Sequence, residues 1–379
     1  MEYPQPLRAL DLPQLLHSGT ARCLRWLSHV RSLTDTDGSM TDRATIAIIS
    51  PVRQQISAGN NITSQRWGSL LRSAGHETFI VHVDESDTTM ARTITDRLDC
   101  ADVLIALHAR RSSAAVAWWT VRHPERPVIV AITGTDLYTD LPHDMSARAS
   151  VEAADALIGL QPAAVERLGS IEARWGAKAT TIHQSVAGPH LPRELSDHVM
   201  KIVVLAHLRP VKDPLLTARA ARRLPSESRV MVHHAGGPID PELGKEALVE
   251  HETNDRYHWH RALSRPETQR LLASAHALAC TSISEGGANV VSEAIALGVP
   301  VIGTLIEGNV GLLGRDHPGL VPVGDERALA ELLVNMEQDP ALMDALQRRT
   351  NELQPITRPE VEEDALAALV AKVIAARRI

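Results

Sequence analysis

The sequence has few aromatic residues, few cysteines and no excess of positive charge. Aromatic residues make up 3% of the 379 residues, so stacking on aromatic rings is not expected to be the main way a ligand is held. The net charge of −7 argues against nucleic acid as a partner, because phosphate-binding surfaces usually carry a basic excess. Cys23, Cys100 and Cys280 lie far apart, which favours a reducing, cytoplasmic compartment over a disulfide framework.

Long hydrophobic runs are also missing. None reaches the roughly 18–20 residues that a membrane span needs, so no membrane association is expected. The start, MEYPQPLRALDLPQLL, is unlike a secretory signal, and residues 1–43 are interpreted as a partly flexible extension. A chain beginning at Met40 is expected to keep its activity. Asp35-Thr-Asp37 imitates a metal motif but lies in a polar linker, so we predict no metal site and no cofactor.

Short apolar runs alternate with helix-length segments from residue 44 onward, as in TIAIIS and KIVVLAHL. This alternation is typical of parallel sheets covered by helices on both faces. It occupies residues 44–190 and resumes over 198–355, and residues 356–379 predict a closing C-terminal helix that can pack back on the first domain. The sequence therefore predicts an α/β protein of two Rossmann-like, doubly wound domains that face each other across a cleft. Neither a Gly-x-Gly-x-x-Gly after a strand nor a P-loop motif occurs.

Two acids eight positions apart stand out in SISEGGANVVSEAIALG. The pattern predicts a strand, a loop that carries Glu285, and a helix over 288–298 that carries Glu293. Eight helical residues span about 12 Å, which is comparable to the reach of a nucleoside diphosphate sugar from ribose to hexose. The arrangement suggests that Glu285 binds the sugar hydroxyls, that Glu293 binds the ribose, and that the helix N-terminus between them faces the diphosphate.

The residues between the two acids support the same interpretation. Gly286 and Gly287 would let backbone amides approach a ligand with no side chain in the way, and Asn289 is a further candidate for donor binding. The alternative is two surface glutamates that flank a capped helix.

The Glu285–Glu293 segment resembles the Glu-x7-Glu motif of the family 4 nucleotide-sugar glycosyltransferases, which share the GT-B fold. That resemblance implies donor binding by both acids. It also implies an arginine and a lysine on the donor diphosphate after the first strand of the second domain. In VVLAHLRPVKDP, Lys212 matches the lysine, whereas His207 takes the arginine position and Arg209 follows two residues later. For Lys212, the alternative is a solvated turn lysine.

The loop TLIEGNVGLLG departs from the family pattern as well. Family members carry Gly-Gly-x-x-Glu there, and the acid is replaced by Gly311 in this chain. Gly308, Asn309 and Gly311 are still expected to hold phosphate through backbone amides, although a plain connecting turn is the alternative.

A wider set of motifs resembles a narrower group, the selenosugar synthases of selenoneine biosynthesis. These motifs are GNNITSQRW, ALHARRS, TGTDLY, LQPAA, HLRPVKDP, EGGANVVSEAI and EGNVGLLG, and the similarity covers the chain from Ile46 to the C-terminus. The resemblance implies two substrates, a UDP-sugar donor, which is UDP-N-acetylglucosamine or UDP-glucose, and selenophosphate. Selenium would attack the anomeric carbon and release UDP. Oligomeric state and stereochemistry stay open.

An anionic acceptor needs a cationic pocket more than a general base. His108, Arg110 and Arg111 directly follow a strand at the expected cleft, so they are catalytic candidates together with Glu285. The candidates for acceptor binding are Gly59, Asn60, Asn61, Thr63, Arg66, Thr133 and Asp136. Three alternatives stay open: a buried structural role for His108, solvated arginines, and a turn or helix cap formed by Thr133 and Asp136.

Three other functions also fit a nucleotide-sugar cleft. A conventional glycosyltransferase would act on a hydroxyl acceptor and use a carboxylate or histidine base. A UDP-sugar epimerase would change the donor with no acceptor present. A binding module would hold UDP without turnover.

Overall fold

A computed structural model describes residues 43–51, 59–83, 92–188 and 191–378 of the chain. The strands of the first half are β1 Thr45–Ser50, β2 Glu77–His82, β3 Val103–Leu107, β4 Val128–Ile132, β5 Ala156–Gly159 and β6 Ala179–Thr181. Its helices are α1 Gly59–Ser73, α2 Arg92–Leu98, α3 Ser113–Arg122, α4 Met145–Ala153, α5 Pro162–Ile171 and α6 Ala173–Ala177, and a π-helical turn spans Asp136–Asp140.

The second half repeats the alternation. Its strands are β7 Met200–Leu205, β8 Val230–Ala235, β9 Tyr257–Trp259, β10 Ala277–Cys280, β11 Val301–Thr304 and β12 Leu320–Val321. Its helices are α7 Leu216–Ala221, α8 Pro241–Thr253, α9 Arg265–Ala273, α10 Asn289–Ala296, α11 Glu307–Leu313, α12 Glu326–Gln338, α13 Pro340–Leu353 and α14 Pro359–Arg377. Single 3-10 turns occur at Pro210–Lys212 and Gln354–Thr357.

Each half forms one six-stranded sheet. The strand orders are β2-β1-β3-β4-β5-β6 and β12-β11-β10-β7-β8-β9, and the paired strands run parallel. The prediction of an α/β protein with two doubly wound sheets is therefore confirmed. In each sheet the first strand in sequence is an inner strand, and the strand order runs from it first towards one edge and then towards the other. The order reverses between β1 and β3 in the first sheet and between β7 and β10 in the second. Such switch points open a crevice at the carboxyl ends of the strands, where ligands of this architecture bind.

The sheets are apolar because helices cover them on both sides. Every residue of β3 and of β4 is buried, and Trp67 of α1 and Trp119 of α3 pack fully buried against opposite faces of the first sheet. Burial of apolar area on both faces is the main stabilising term for such a layered domain.

Helix α14 returns from the end of the chain to the first sheet. Its buried side chains Leu366, Leu369 and Val370 join the hydrophobic cluster that holds Ile46 and Ile48 of β1. We call the first sheet with its helices and α14 the first lobe, and the second sheet with its helices the second lobe.

The predicted extension over residues 1–43 and the Asp35-Thr-Asp37 sequence fall outside the described residues, apart from Arg43. Within those residues, no helix is long and apolar enough to cross a bilayer. The same part of the chain contains no cluster of three or more His, Cys, Asp or Glu side chains placed to hold a metal ion.

Candidate active site

Two charged side chains meet at the switch point of the second sheet. Lys212 lies in the turn after β7 and Glu285 in the loop after β10, and the Nζ of Lys212 contacts Oε1 of Glu285. The hydroxyl of Ser282 donates to the same carboxylate oxygen at 2.6 Å. Because both charged side chains keep some exposure, 21% for Lys212 and 12% for Glu285, the pair remains within reach of a ligand in the cleft.

His207 and Arg209 follow β7 on the same edge of the sheet. The backbone N–H of Gly237 donates to Nδ1 of His207 at 3.0 Å. Burial, reinforced by the charges of Arg209 and Lys212, lowers the pKa of His207, so its imidazole is neutral at pH 7. The Nε of Arg209 is buried and has no hydrogen-bond partner in the described part of the chain. A buried guanidinium nitrogen of this kind is suited to a ligand anion.

Helix α10 carries the second acid of the motif. Its buried residues Val291, Ala294 and Ile295 face the core, and its N-cap residue, Ala288, has no side chain that could hydrogen-bond the first backbone N–H groups. Glu293 lies one turn into the helix. Burial raises the pKa of its carboxyl group, while the charges of Arg265 and Arg66 oppose that shift. The helix ends at Ala296, and Gly298, which was predicted as its C-terminal cap, follows two positions later in the left-handed conformation with φ of 68°.

The glycines after Glu285 lie against the opposite lobe. A Cβ added to Gly286 would lie 2.3 Å from the carbonyl oxygen of Thr133, and a Cβ on Gly287 would lie 2.8 Å from Cβ of Leu160. Both neighbours belong to the first lobe. These glycines are therefore needed because the first lobe approaches closely across the cleft, with its backbone at Gly286 and with the Leu160 side chain at Gly287, and the approach of a ligand to their amides stays a prediction.

The glycines of α11 also lie where another part of the chain approaches closely. A Cβ on Gly308 would lie 2.2 Å from the carbonyl oxygen of Glu285, and a Cβ on Gly311 would lie 1.7 Å from Oε1 of Gln161 in the first lobe. Asn309 is fully buried and donates through Nδ2 to the carbonyl oxygen of Thr304 at 2.9 Å. Its side chain points towards the sheet, and the contact of its backbone amide with the donor phosphate stays a prediction.

In the first lobe, His108 follows β3 in a left-handed conformation with φ of 69° and is 2% exposed. Its Nδ1 accepts the backbone N–H of Arg111 at 3.4 Å, and its Nε2 lies 2.9 Å from the hydroxyl oxygen of Thr135. Burial lowers its pKa, with Asp136 and Asp140 opposing and the two arginines reinforcing that shift. This geometry fits the alternative interpretation of a satisfied buried histidine that shapes the turn after β3.

The carboxylate of Asp136 is fully buried and accepts four backbone N–H groups. They belong to Ala109 at 3.0 Å, Thr133 at 3.0 Å, Gly134 at 2.7 Å and Leu137 at 3.1 Å. These bonds tie the loop after β3 to the loop after β4. The geometry therefore favours the capping role for Asp136, and Thr133 contributes its backbone rather than its hydroxyl to this network.

Positive charge at this end of the first lobe comes from the turn after His108. The Nε of Arg110 lies 3.0 Å from Oδ2 of Asp140, with 31% of the arginine side chain and 13% of the aspartate exposed. Arg111 is half-buried beside it. Arg110 and Arg111 therefore lie together in this turn, with an acid beside them that sequence reasoning missed, and their contact with an acceptor stays a prediction.

The residues at the start of α1 lie against the second lobe. Gly59 is next to Asn289, since a Cβ at Gly59 would lie 3.5 Å from the Asn289 amide nitrogen. Asn60 is half-buried and Asn61 is buried, and Oδ1 of Asn61 accepts from Gln65 at 3.3 Å. The hydroxyl of Thr63 donates to Oε1 of Gln184 at 3.1 Å.

Arg66 does not offer a free cation to an acceptor. Its guanidinium group donates to Glu362 at 2.8 Å, to Gln184 at 3.1 Å and to Asn289 at 3.2 Å. Sequence reasoning missed Gln184 and Glu362. For Glu362 a signal was available, because it stands on the apolar stripe of α14 that continues through Leu366 and Leu369. Nothing in the sequence around Gln184 marks it.

Comparison with known proteins agrees with this architecture. Residues 194–353, somewhat less than half of the chain, match the family model of the glycosyl transferases group 1. A curated relative, glycosyltransferase 1 domain-containing protein 1 of Xenopus tropicalis, is 31% identical over 130 residues, which is 34% of this chain. The chain spans about 38% of the length of that relative.

Solved structures match over most of the chain. Sucrose-phosphate synthase from Thermosynechococcus elongatus has a TM-score of 0.70 at 18% identity, over 88% of this chain and 100% of that one. Anabaena HepE in complex with UDP and glucose has a TM-score of 0.67 at 13% identity, over the same shares. The pneumococcal O-GlcNAc transferase GtfA has a TM-score of 0.57 at 15% identity, over 75% and 59%. At these identities the similarity establishes the fold, which is the GT-B architecture.

Proposed function

We propose that this protein is a glycosyltransferase that transfers a hexosyl group from UDP-N-acetylglucosamine or UDP-glucose to selenophosphate. The family match over residues 194–353 and the structures of HepE with UDP and glucose and of GtfA with UDP and GlcNAc support a UDP-sugar donor. The selenium acceptor rests on the set of motifs that resembles selenosugar synthases.

The observation that carries the proposal is the arrangement at the second switch point. Glu285 lies in the loop before α10 and Glu293 lies one turn into that helix, whose N-cap residue Ala288 offers no side-chain hydrogen bond. Lys212 contacts Glu285, and the Nε of Arg209, three positions before Lys212, has no hydrogen-bond partner among the described residues. In our proposal Glu285 binds the hexose hydroxyls and Glu293 the ribose diol. The two cations and the α10 N-terminus hold the diphosphate and stabilise the charge that develops on it as it leaves.

The first lobe favours an acceptor that is already an anion. Both ring nitrogens of His108 have partners, Asp136 accepts four N–H groups, and Asp140 pairs with Arg110. A neutral hydroxyl needs a base to take its proton, and these three groups are occupied. Arg110 and Arg111 offer positive charge for the phosphoryl oxygens of selenophosphate, and His108 positions the turn that carries both arginines.

The proposed reaction has two bond-making events. The selenium of selenophosphate attacks the anomeric carbon, the carbon–oxygen bond to the diphosphate breaks, and UDP leaves with the electron pair. Water then hydrolyses the selenium–phosphorus bond, which gives phosphate and a 1-selenosugar. The protein supplies orientation and electrostatic stabilisation and needs no redox partner.

Incubation with UDP-N-acetylglucosamine and selenophosphate tests this proposal. Mass spectrometry is expected to show UDP and a sugar with the isotope pattern of selenium, and UDP-glucose run in parallel reports the hexose preference. Folded enzyme that binds UDP and forms no selenium product would refute the acceptor. A donor that isomerises without any acceptor would indicate an epimerase instead.

A second candidate function is transfer to a hydroxyl acceptor. It is favoured by one observation, that Oδ2 of Asp140 lies 3.8 Å from Nε2 of His108, since a histidine beside a carboxylate is a common general base. This enzyme would make a glycosylated product without selenium, and its rate would fall as His108 becomes protonated.

A further inference from the structure

The guanidinium group of Arg66 connects three segments that are distant in sequence. Its Nε donates to Oε2 of Glu362 in α14 at 2.8 Å, its Nη1 to Oδ1 of Asn289 at the start of α10 at 3.2 Å, and its Nη2 to Oε1 of Gln184 at 3.1 Å. The side chain is 12% exposed. Charge-assisted bonds of this length in a largely buried site are among the stronger polar contacts of a protein.

Gln184 extends the same network to the second lobe. Its Oε1 accepts from Arg66 and from the hydroxyl of Thr63 at 3.1 Å, while its Nε2 donates to the carbonyl oxygen of Gly287 at 2.6 Å. The segment from Gly287 to Asn289 is therefore held at two points from the first-lobe side. This segment leads directly into the helix that carries Glu293.

Glu362 of α14 holds the guanidinium group of Arg66 from the first-lobe side. It is 1% exposed, and besides Arg66 it accepts the indole N–H of Trp67 at 2.6 Å and the backbone N–H of Ser185 at 2.8 Å. These three hydrogen bonds hold the carboxylate in place, so the arginine that it binds is held in one orientation before any substrate binds. A pre-oriented group costs less entropy when it makes a further contact.

We propose that Arg66 is a positioning residue that holds the two lobes closed over the donor helix α10, through Asn289 and Gln184. The kinetic part of this inference rests on the proposed function. We call the contacts of Arg66 with Asn289 and Gln184 the clasp. The proposed donor residues Arg209, Lys212 and Glu293 all belong to the second lobe, so UDP binding does not require the clasp. Transfer does require it, because the first lobe has to bring the acceptor to the anomeric carbon.

Two variants separate the clasp from a general structural role. Arg66→Gln removes the charge, and Asn289→Ala removes only the contact with the donor helix and leaves the Arg66–Glu362 pair intact. Arg222→Gln is the control, since Arg222 pairs with Glu250 inside the second lobe and is exposed. Small-angle X-ray scattering with saturating UDP reports closure, and calorimetry and steady-state kinetics report UDP affinity and kcat.

The radius of gyration is expected to increase in Arg66→Gln, to increase less in Asn289→Ala, and to stay unchanged in the control. The kcat of Arg66→Gln is expected to fall by about 10- to 100-fold, the range for a hydrogen bond to a charged group. The Kd for UDP is expected to stay within about threefold of the wild-type value in a third variant, Gln184→Ala, because Gln184 contacts Arg66 and Gly287 and is not assigned to either substrate.

Wild-type scattering and kcat in both variants would overturn the inference, and so would a lower melting temperature accompanied by no change in either. If Arg66→Gln fails to fold, Asn289→Ala still decides the question. A wild-type protein that binds no UDP would refute the proposed function, whereas scattering of the unliganded variants would still test the clasp.

Discussion

The two lobes use polar residues at the cleft in opposite ways. In the first lobe, Asp136 is fully buried with four N–H partners and His108 is engaged at both ring nitrogens. In the second lobe, Arg209 has a buried nitrogen with no partner within the described residues, and Lys212 is held by a carboxylate at the cleft.

This difference shows that polar residues at strand ends have two separate tasks. Those of the first lobe mostly build the loops that form the wall of the cleft, whereas those of the second lobe keep hydrogen-bonding capacity for a ligand. Substitutions are therefore expected to reduce stability in the first lobe and ligand affinity in the second, and the following predictions test that division.

The largest expected effect is on stability in the first lobe. Asp136→Ala leaves four backbone N–H groups buried without an acceptor, so the free energy of unfolding is expected to fall by about 3–5 kcal/mol. Urea denaturation followed by tryptophan fluorescence measures this. Asp144→Ala is the matched control, because its carboxylate caps α4 through one main backbone contact, with Ala147 at 2.8 Å, and its loss is expected to cost about 1 kcal/mol.

Equal losses in the two aspartate variants would contradict the idea that Asp136 is a central structural anchor. If Asp136→Ala were as stable as the wild-type protein but inactive, the result would instead support the prediction that Asp136 binds the acceptor.

In the second lobe, Glu285→Gln is expected to act on transfer without weakening UDP binding. A diphosphate has to compete with Glu285 for Lys212, so loss of the glutamate charge frees the lysine while it removes the contact with the hexose. We expect kcat/KM to fall by about 10- to 100-fold, and UDP affinity measured by calorimetry to be equal or higher. A clear loss of UDP affinity in this variant would show that Glu285 does not compete for Lys212.

Glu293→Ala is expected to weaken UDP binding by about 1–3 kcal/mol, because the ribose loses its hydrogen-bond acceptor. Calorimetry with UDP measures this change. Glu331→Ala, at an exposed position on α12, is the control and is expected to bind UDP like the wild-type protein. Unchanged affinity in Glu293→Ala would contradict the ribose assignment.

The raised pKa of Glu293 also leads us to expect that the free energy of unfolding depends on pH, with a smaller effect than that on UDP binding. Burial raises the pKa of Glu293, so its contribution to stability is fully present below the pKa of the unfolded chain, about 4.3, and is lost as the pH rises through the folded value. Glu293→Gln is therefore expected to be more stable than wild type at pH 7–8, and the two should converge near pH 4. Denaturation curves that differ by the same amount at both pH values would contradict this.

The smallest effect is expected from the segment before Met40. A chain that begins at Met40 should keep wild-type kcat and UDP affinity, and EDTA should not change either, because no metal role is assigned to Asp35 or Asp37. Loss of activity in a folded truncated chain, or inhibition by EDTA that added metal reverses, would show that this segment or a metal has a role.

Much of the fold could be predicted because its central strands are continuous apolar runs. TIAIIS corresponds to β1 residue for residue, and the helix predicted over 288–298 appears as Asn289–Ala296 with its glycine at Gly298. The strands Ala179–Thr181 and Tyr257–Trp259 were missed. Three residues are too few to show an alternating pattern, and these strands form through pairing with their neighbours at the sheet edges.

The candidate site was predictable only where the spacing is local. Glu285 and Glu293 share one loop–helix unit, so eight positions already fix their separation. Arg66 and Glu362 are 296 positions apart, and no local pattern shows that they meet. The glycines illustrate a third case, because their presence signals a close approach but the sequence does not say whether a ligand or the opposite lobe makes it.

The return of α14 to the first lobe has a consequence for biosynthesis. Leu366, Leu369, Val370 and Val373 complete the hydrophobic cluster around Ile46 and Ile48, yet they follow the whole second lobe in the chain. The nascent first lobe therefore keeps an uncovered apolar face until the second lobe and α14 have been translated. We expect this half to depend on chaperones during synthesis, and a nonsense mutation ahead of α14 to act as a folding defect in the lobe made first.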